Sequence, residues 1–291
     1  MSTRPNFIGI GAQKCASTWL YEILADHPQA LLAESKELDF FSYHYESGYQ
    51  WYENHFPAQD GAPVRGEISP SYFHCPATPE RVYEYNPDVQ LILCLRNPVE
   101  RALSNHKHEV RIGHLQGHDL SFENSLRNNP QYIDQGMYAT HLTRWLRHFD
   151  RRQMLVILFD DVQSNPEAVA RQVYTFLGID PHHVSSVLNK ASNPSYVNRS
   201  KFLEHLKNQV RSMVRKLHLG PIWRGIGDLG FRTLYRALNR APSSSVIPPL
   251  EAATREFLDE RFAPEIDQLE AILNRDLGCW RGPTRERAVN G

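Results

Sequence analysis

The sequence predicts an α/β fold: a P-loop-like three-layer arrangement in which helices flank a central parallel sheet, followed by a helical C-terminal third. Two observations carry this. Short apolar runs that read as buried strands alternate with helical patterns, the sign of a parallel sheet covered on both faces. A glycine-bearing loop stands between the first strand and the first helix. The chain has 291 residues, 41% hydrophobic and 22% charged, so it can enclose one large core; collagen-like, coiled-coil and wholly disordered readings are excluded.

The elements follow in order. Asn6–Ile10 reads as a short buried strand. Ser17–His27 reads as a helix with Trp19, Leu20, Ile23 and Leu24 on one face and Pro28 beyond its end. Val64–Ile68 is a second strand, and Thr78-Pro79-Glu80 is expected to cap and start a helix toward Asn86. Val89–Leu95 is the clearest buried strand; Asn97-Pro98 then opens a helix through about Val110. Tyr138–Phe149 reads as a helix and Met154–Phe159 as a strand. Asn165-Pro166-Glu167 opens a helix that Gly178 closes. From about Pro181 onward no strand is expected. The whole of 1–291 is read as one domain, with a core over 1–180 and a helical part over 181–291 wrapping it.

Lys+Arg 32 against Asp+Glu 33 gives a net charge of -1, a balance that does not favour nucleic acid as a partner. Cys15, Cys75, Cys94 and Cys279 stand far apart with no CxxC pair, which speaks against a zinc ribbon or a disulfide framework and for a reducing compartment, the cytoplasm. No secretory signal is expected from the first residues, and no apolar run approaches the 18 or so residues of a membrane span.

The loop reads Gly11-Ala12-Gln13-Lys14-Cys15-Ala16-Ser17-Thr18. At a strand-to-helix junction its backbone N–H groups can point at an anion. The spacing approaches GxxxxGK[ST] but departs from it: Ala16 stands for the second glycine, Ser17 for the lysine, and the lysine lies inside the loop as Lys14. A kinase needs that lysine on the terminal phosphates beside Mg²⁺; a lysine within the loop can itself neutralise a leaving phosphate without a metal. An ordinary strand-to-helix turn with a surface lysine is the bland alternative.

This loop resembles that of the sulfotransferases that use 3′-phosphoadenosine 5′-phosphosulfate (PAPS), and further blocks follow in the family's order. Glu34-Ser35-Lys36-Glu37-Leu38-Asp39-Phe40-Phe41, Gly48–Tyr52 with Phe56-Pro57, and Glu67-Ile68-Ser69-Pro70-Ser71-Tyr72-Phe73 are similar to the heparan sulfate N- and 3-O-sulfotransferase branch. Leu95-Arg96-Asn97-Pro98 with Arg101 and Ser104 is similar to the 3′-phosphate block, and Phe176-Leu177-Gly178 to a late landmark. The resemblance covers roughly residues 6–200. It implies that Lys14, Cys15, Ala16, Ser17 and Thr18 hold the donor's phosphosulfate end, with Lys14 also catalytic. Arg96 and Ser104 would hold its 3′-phosphate, Arg199 and Lys201 would close over it, and no metal would serve.

The same resemblance makes Glu67 the general base that removes the acceptor's proton. By chemistry alone, an Arg fork plus a hydroxyl eight residues on makes a good dianion clamp. Arg101 is expected to support its helix by pairing with a carboxylate. Lys36 and Glu37 read equally as cleft residues or a solvated pair. His74, His106 and His108 are read as surface or rim residues, although another sulfotransferase branch uses a histidine base.

Arg199–Arg240 carries ten Lys/Arg against two acids, a local net of +8 that leaves -9 elsewhere. A solvated helix face, closure over the donor, attraction of an anionic acceptor and peripheral membrane contact all remain open. The expected function is sulfuryl transfer to a hydroxyl or amine of a glycan, lipid or small metabolite. A P-loop kinase-like phosphotransferase and a non-catalytic nucleotide-binding module are the alternatives.

Overall fold

Five short strands, rich in residues too apolar to face water, form the centre of the molecule. The structure, a computed structural model, describes residues 4–56, 62–188, 196–198, 240–242 and 246–282. The strands are β1 (Phe7–Gly11), β2 (Ala30–Leu32), β3 (Val64–Ile68), β4 (Gln90–Leu95) and β5 (Met154–Leu158). They form one sheet in the order β2-β3-β1-β4-β5, and each adjacent pair is parallel. β1 is buried along its whole length, and Leu91 to Leu95 of β4 are 0% exposed. Full burial of one such side chain is worth roughly 1.5–3 kcal/mol. The sheet is thus a core with two covered faces, the arrangement expected of apolar strands that do not alternate.

The helices follow the sequence expectations closely. α1 (Ser17–Ala25) buries Trp19, Leu20, Ile23 and Leu24, the stripe the spacing indicates. After the short helices α2 (Phe40–Tyr43) and α3 (Gly48–Glu53) comes α4 (Thr78–Tyr85). Thr78 does not cap it. Ala77 holds the N-cap position, and the Thr78 hydroxyl instead donates to the Phe41 carbonyl at 3.2 Å. α5 (Pro98–Ile112) is capped by Asn97, whose Oδ1 accepts from the N–H groups of Val99 at 2.9 Å and Glu100 at 3.1 Å. α6 (Phe122–Asn128), α7 (Gln131–Asp134), α8 (Tyr138–Trp145) and α9 (Phe159–Ser164) follow. In α10 (Pro166–Leu177), Asn165 accepts from Ala168 N at 3.0 Å and Gly178 ends the helix at φ 71°. α11 (Ala252–Leu273) buries Leu258, Phe262, Ile266 and Leu269 along one stripe.

Two strands interrupt the C-terminal third, where none is expected: β6 (Tyr196–Asn198) and β7 (Arg240–Pro242) pair antiparallel. Like β2, each is three residues long, too short to show a period in sequence. The rest of the basic segment, residues 199–239 with Arg199 and Lys201, lies outside the described residues.

The chain divides into two compact units. The first comprises Met1–Ala102, Gln131–Ser192 and Arg255–Gly291 and contains the five-stranded sheet. The second comprises Leu103–Pro130 and Asn193–Thr254. In it Val110 and Ile247 are buried against Leu115, Leu120 and Val246. His106 also belongs here. It is 1% exposed and its Nε2 lies 3.0 Å from the Leu120 carbonyl, so it is a buried, hydrogen-bonded histidine rather than the surface or rim residue expected.

β1 and β3 approach closely enough to forbid side chains. A Cβ on Gly66 would lie 2.2 Å from the Phe7 carbonyl oxygen and 2.4 Å from its ring. Gly66→Ala should therefore cost about 3 kcal/mol, because backbone in mid-sheet cannot move aside as a surface side chain can. Urea denaturation measures it; an unchanged midpoint would mean that the two strands separate without cost.

Candidate functional site

In a parallel sheet all strands end on the same side, and β1 has β3 and β4 as neighbours. The loop after β1, the Glu67 block at the end of β3 and Arg96 after β4 therefore emerge side by side. Open α/β sheets bind ligands at such carboxyl ends, where the chain turns opposite ways from adjacent strands.

The loop is held from both sides. Ala12 N donates to Cys94 O of β4 at 2.7 Å. On the β3 side, Ser69 N donates to Gly9 O at 2.9 Å and Phe73 N to Ile10 O at 2.8 Å. Gly11 has φ +143°, and a Cβ there would meet Pro70 O at 2.9 Å and Phe73 Cβ at 2.8 Å. Lys14 and Ala16 both adopt positive φ, 67° and 78°. Ala16 is left-handed at the N-cap of α1, which costs an alanine roughly 1–2 kcal/mol relative to glycine. The turn that a glycine would make freely is thus kept at a cost.

Lys14, Ala16 and Thr18 are half-buried, whereas Cys15 and Ser17 are buried. The Cys15 thiol packs beneath the loop, with Sγ 3.7 Å from the Tyr138 hydroxyl, and burial pushes its pKa up to about 11. Only its backbone can serve an anion. The structure also places Lys36: its ammonium donates to Thr18 Oγ1 at 2.9 Å and pairs with Glu37 Oε1 at 3.1 Å. Lys36 thus brings a second cation to the first turn of α1 while remaining paired with Glu37. Glu37 is exposed.

Glu67 is 1% exposed. Its Oε2 accepts from Ser69 Oγ at 2.6 Å; its Oε1 accepts from Tyr72 OH at 2.6 Å and Tyr52 OH at 3.4 Å. Burial raises its pKa to about 7, against the lowering effect of these hydroxyls. The Phe40-Phe41 pair holds the two tyrosines: Phe40 stacks on Tyr52 at 4.7 Å, and Phe41 meets Tyr72 edge-on at 5.6 Å. Sequence reasoning assigned no role to Tyr52, Ser69 or Asp39. Asp39 N donates to Ser69 Oγ at 2.9 Å, and Asp39 Oδ1 accepts from Ser71 Oγ at 2.5 Å. Burial and the Glu37 charge raise the Asp39 carboxyl as well. The only sequence signal for this shell was its membership of the quoted blocks.

Arg96 lies half-buried with its guanidinium 4.6 Å from the centre of the Phe159 ring. Its ion pair with Glu100 is loose, at 4.0 Å, whereas Arg255 takes the same carboxylate at 2.8 Å. Ser104 sits in the second turn of α5 and belongs to the second unit. Arg101 departs from expectation. It pairs with no carboxylate among the described residues; at 0% exposed it donates to Gln135 Oε1 at 2.9 Å and Tyr132 O at 2.6 Å. Its donors are taken by neutral oxygens in and just after α7, and Asp134 of that helix acts on it only at longer range. Burial lowers the His74 pKa to about 4, so its ring is neutral at pH 7.

Glu67 ties stability to pH. Its folded pKa of about 7 lies above the ordinary 4.5. The protonated form is the one folding favours, so its stabilisation is full below about 4.5 and is lost as pH rises through about 7. The shift corresponds to ~3 kcal/mol. Glu67→Gln mimics the neutral acid, so the stability difference between variant and wild type should move by about that much in the variant's favour between pH 4.5 and 8. Denaturant titrations across this range measure it; a difference independent of pH would show that Glu67 is ionised throughout.

Residues 4–220 match the sulfotransferase domain family. The mouse bifunctional heparan sulfate N-deacetylase/N-sulfotransferase 4 is 31% identical over 203 residues, 62% of this chain and 23% of its own length. The human heparan sulfate glucosamine 3-O-sulfotransferase 3B1 is 33% identical over 181 residues, 60% of this chain and 46% of its own length. The chain thus spans less than half the length of these curated relatives. Among solved structures, the sulfotransferase from Alicyclobacillus acidocaldarius has a TM-score of 0.70 at 26% identity, covering 96% of this chain and 99% of that one. The chain belongs to the sulfotransferase domain family.

Proposed function

We propose that this protein transfers a sulfuryl group from PAPS to a hydroxyl or amine of an acceptor, with Glu67 as the general base. The observation that carries this reading is Glu67 itself. It is a buried carboxyl whose pKa of about 7 suits proton transfer near neutrality, on the strand next to the anion loop. The names of the curated relatives make a glucosamine-containing glycan the first acceptor to try; a lipid or small metabolite remains within the same chemistry.

Bound PAPS supplies the sulfuryl group and a bisphosphate leaving group. The backbone of Lys14–Thr18 would receive the 5′ end of the donor, with Lys14 and Lys36 neutralising charge as the leaving group departs. Arg96, by its place after β4 and its loose pairing, would take the 3′-phosphate; Ser104, Arg199 and Lys201 join it through the resemblance of their blocks. Tyr52, Ser69 and Tyr72 hold the Glu67 carboxylate in place while it accepts the acceptor's proton. Positioning and charge stabilisation then carry the transfer, as in phosphoryl transfer. Because two lysines already attend the loop, no metal is needed in this scheme.

Calorimetry with adenosine 3′,5′-bisphosphate, 5′-AMP and ATP tests the donor assignment. The bisphosphate should bind best, and Arg96→Ala should weaken it by about 2–5 kcal/mol while changing 5′-AMP little. Preference for ATP, with Mg²⁺-dependent turnover, would replace this reading by a kinase.

Turnover of PAPS with a glucosamine oligosaccharide tests the base. Glu67→Gln should lower kcat about 10²–10⁴-fold and leave bisphosphate affinity near the wild-type value. In the wild type, kcat/KM should rise with pH through about 7 as Glu67 loses its proton. Ser69→Ala should move that limb upward, because the hydroxyl stabilises the charged form. Full activity of Glu67→Gln would transfer the role elsewhere.

A further inference from the structure

Arg101 is a buried cation with an unfinished set of partners. Its side chain is 0% exposed, two of its guanidinium nitrogens reach Gln135 and the Tyr132 carbonyl, and its Nε has no hydrogen-bond partner. No carboxylate among the described residues is within ion-pair reach of it and both bonded oxygens are neutral; Asp134, whose charge it feels at longer range, is more than half exposed to water. An arginine does not escape this by losing its proton. Holding α5 to α7 does not call for a charge: a buried ion is costly, and a neutral or apolar side chain of similar volume generally does the same at less cost. The full positive charge is therefore what needs explaining.

Its surroundings supply the explanation. Tyr138 and Cys15 feel the Arg101 charge, and Cys15 is the middle residue of the anion loop. Tyr138 touches the Cys15 thiol at 3.7 Å, so the two groups on which the Arg101 charge acts meet at the inner side of Gly11–Thr18. We propose that Arg101 is kept without a hydrogen-bonded carboxylate partner so that an anion bound on the Gly11–Thr18 loop becomes its main counter-ion, making Arg101 a long-range affinity determinant for the donor. It touches no ligand and is a positioning charge, not a catalytic residue. The inference rests on the loop being an anion site, as in the function proposed above.

The field of a buried charge is weakly screened. At an effective dielectric near 20, a unit charge within about 8 Å of a multiply charged anion changes its affinity on the order of tenfold or more. The effect must scale with ligand charge, which a packing role does not do.

Gln135 offers the decisive variant. Its Oε1 already accepts from Arg101, and Gln135→Glu would place a carboxylate there with almost no change of shape. The buried charge would then be paired inside the protein. Gln135→Glu should keep or raise the Tm, yet weaken adenosine 3′,5′-bisphosphate at least tenfold and 5′-AMP by less. Arg101→Gln should show the same graded loss, whereas Arg101→Lys should retain bisphosphate affinity within about threefold. Unchanged affinity in Gln135→Glu overturns the proposal, as does equal weakening of both nucleotides, or a lowered Tm in that variant. Inorganic pyrophosphate is the second probe. If the wild type binds pyrophosphate but not the bisphosphate, the proposed donor is wrong, and the Gln135→Glu effect on pyrophosphate still decides the role of Arg101. If the wild type binds neither, both readings fall.

Discussion

The close approach of β1 to its neighbour β3 is the constraint on which the rest of the site depends. Gly66 faces the Phe7 backbone, Gly9 faces Ile68, and Gly11 faces the turn through Pro70 and Phe73. In each case a single added carbon would lie within 3 Å of an atom across the gap. This places the loop after β1 and the carboxyl at the end of β3 in one frame, tied by Ser69 N to Gly9 O and Phe73 N to Ile10 O. Neither block keeps its geometry if the strands part. The glycines therefore act at the level of packing, and their effect is felt at the level of chemistry.

Around Glu67 two large effects oppose one another. Three hydroxyls favour the ionised form, each worth roughly 1.5–3 kcal/mol as a bond to a charged group. Full burial opposes ionisation by several kcal/mol. Because the pKa ends at about 7, burial outweighs the hydroxyls by ~3 kcal/mol. A solvated carboxylate would be ionised but weakly basic; one without hydroxyls would stay protonated at neutral pH. The aromatic pair Phe40-Phe41 contributes indirectly, by excluding water and by holding Tyr52 and Tyr72 in place.

Much of this was legible in the sequence. Four of the five sheet strands, the helix after the loop and the capped helix after Asn165 were visible because long apolar runs and paired capping residues signal locally. β2, β6 and β7 were not, since three residues carry no period. The site was legible as ordered blocks: Lys14, Glu67 and Arg96 emerge on adjacent strands because parallel topology brings the ends of separate blocks together. What the sequence withheld were the cross-block contacts. Lys36 on Thr18, Asp39 on Ser69 and Ser71, and Tyr52 on Glu67 join residues 15 to 32 positions apart, and nothing in local spacing marks such pairs. Arg101 was misjudged for the same reason: spacing shows that a charge is present but not whether anything answers it.

The buried thiol in the loop has a consequence of its own. A cysteine near a helix N-terminus and a cluster of arginines would ordinarily become a thiolate. Such an anion would occupy the positive field of the loop permanently and compete with any incoming phosphate. Burial of Cys15 beneath Tyr138 keeps the sulfur protonated instead, near pKa 11. The loop can thus carry a cysteine at its centre without self-inhibition and without offering peroxide or alkylating agents a reactive sulfur. An unreactive sulfur at this one position is in this sense a by-product of keeping the site open to anions.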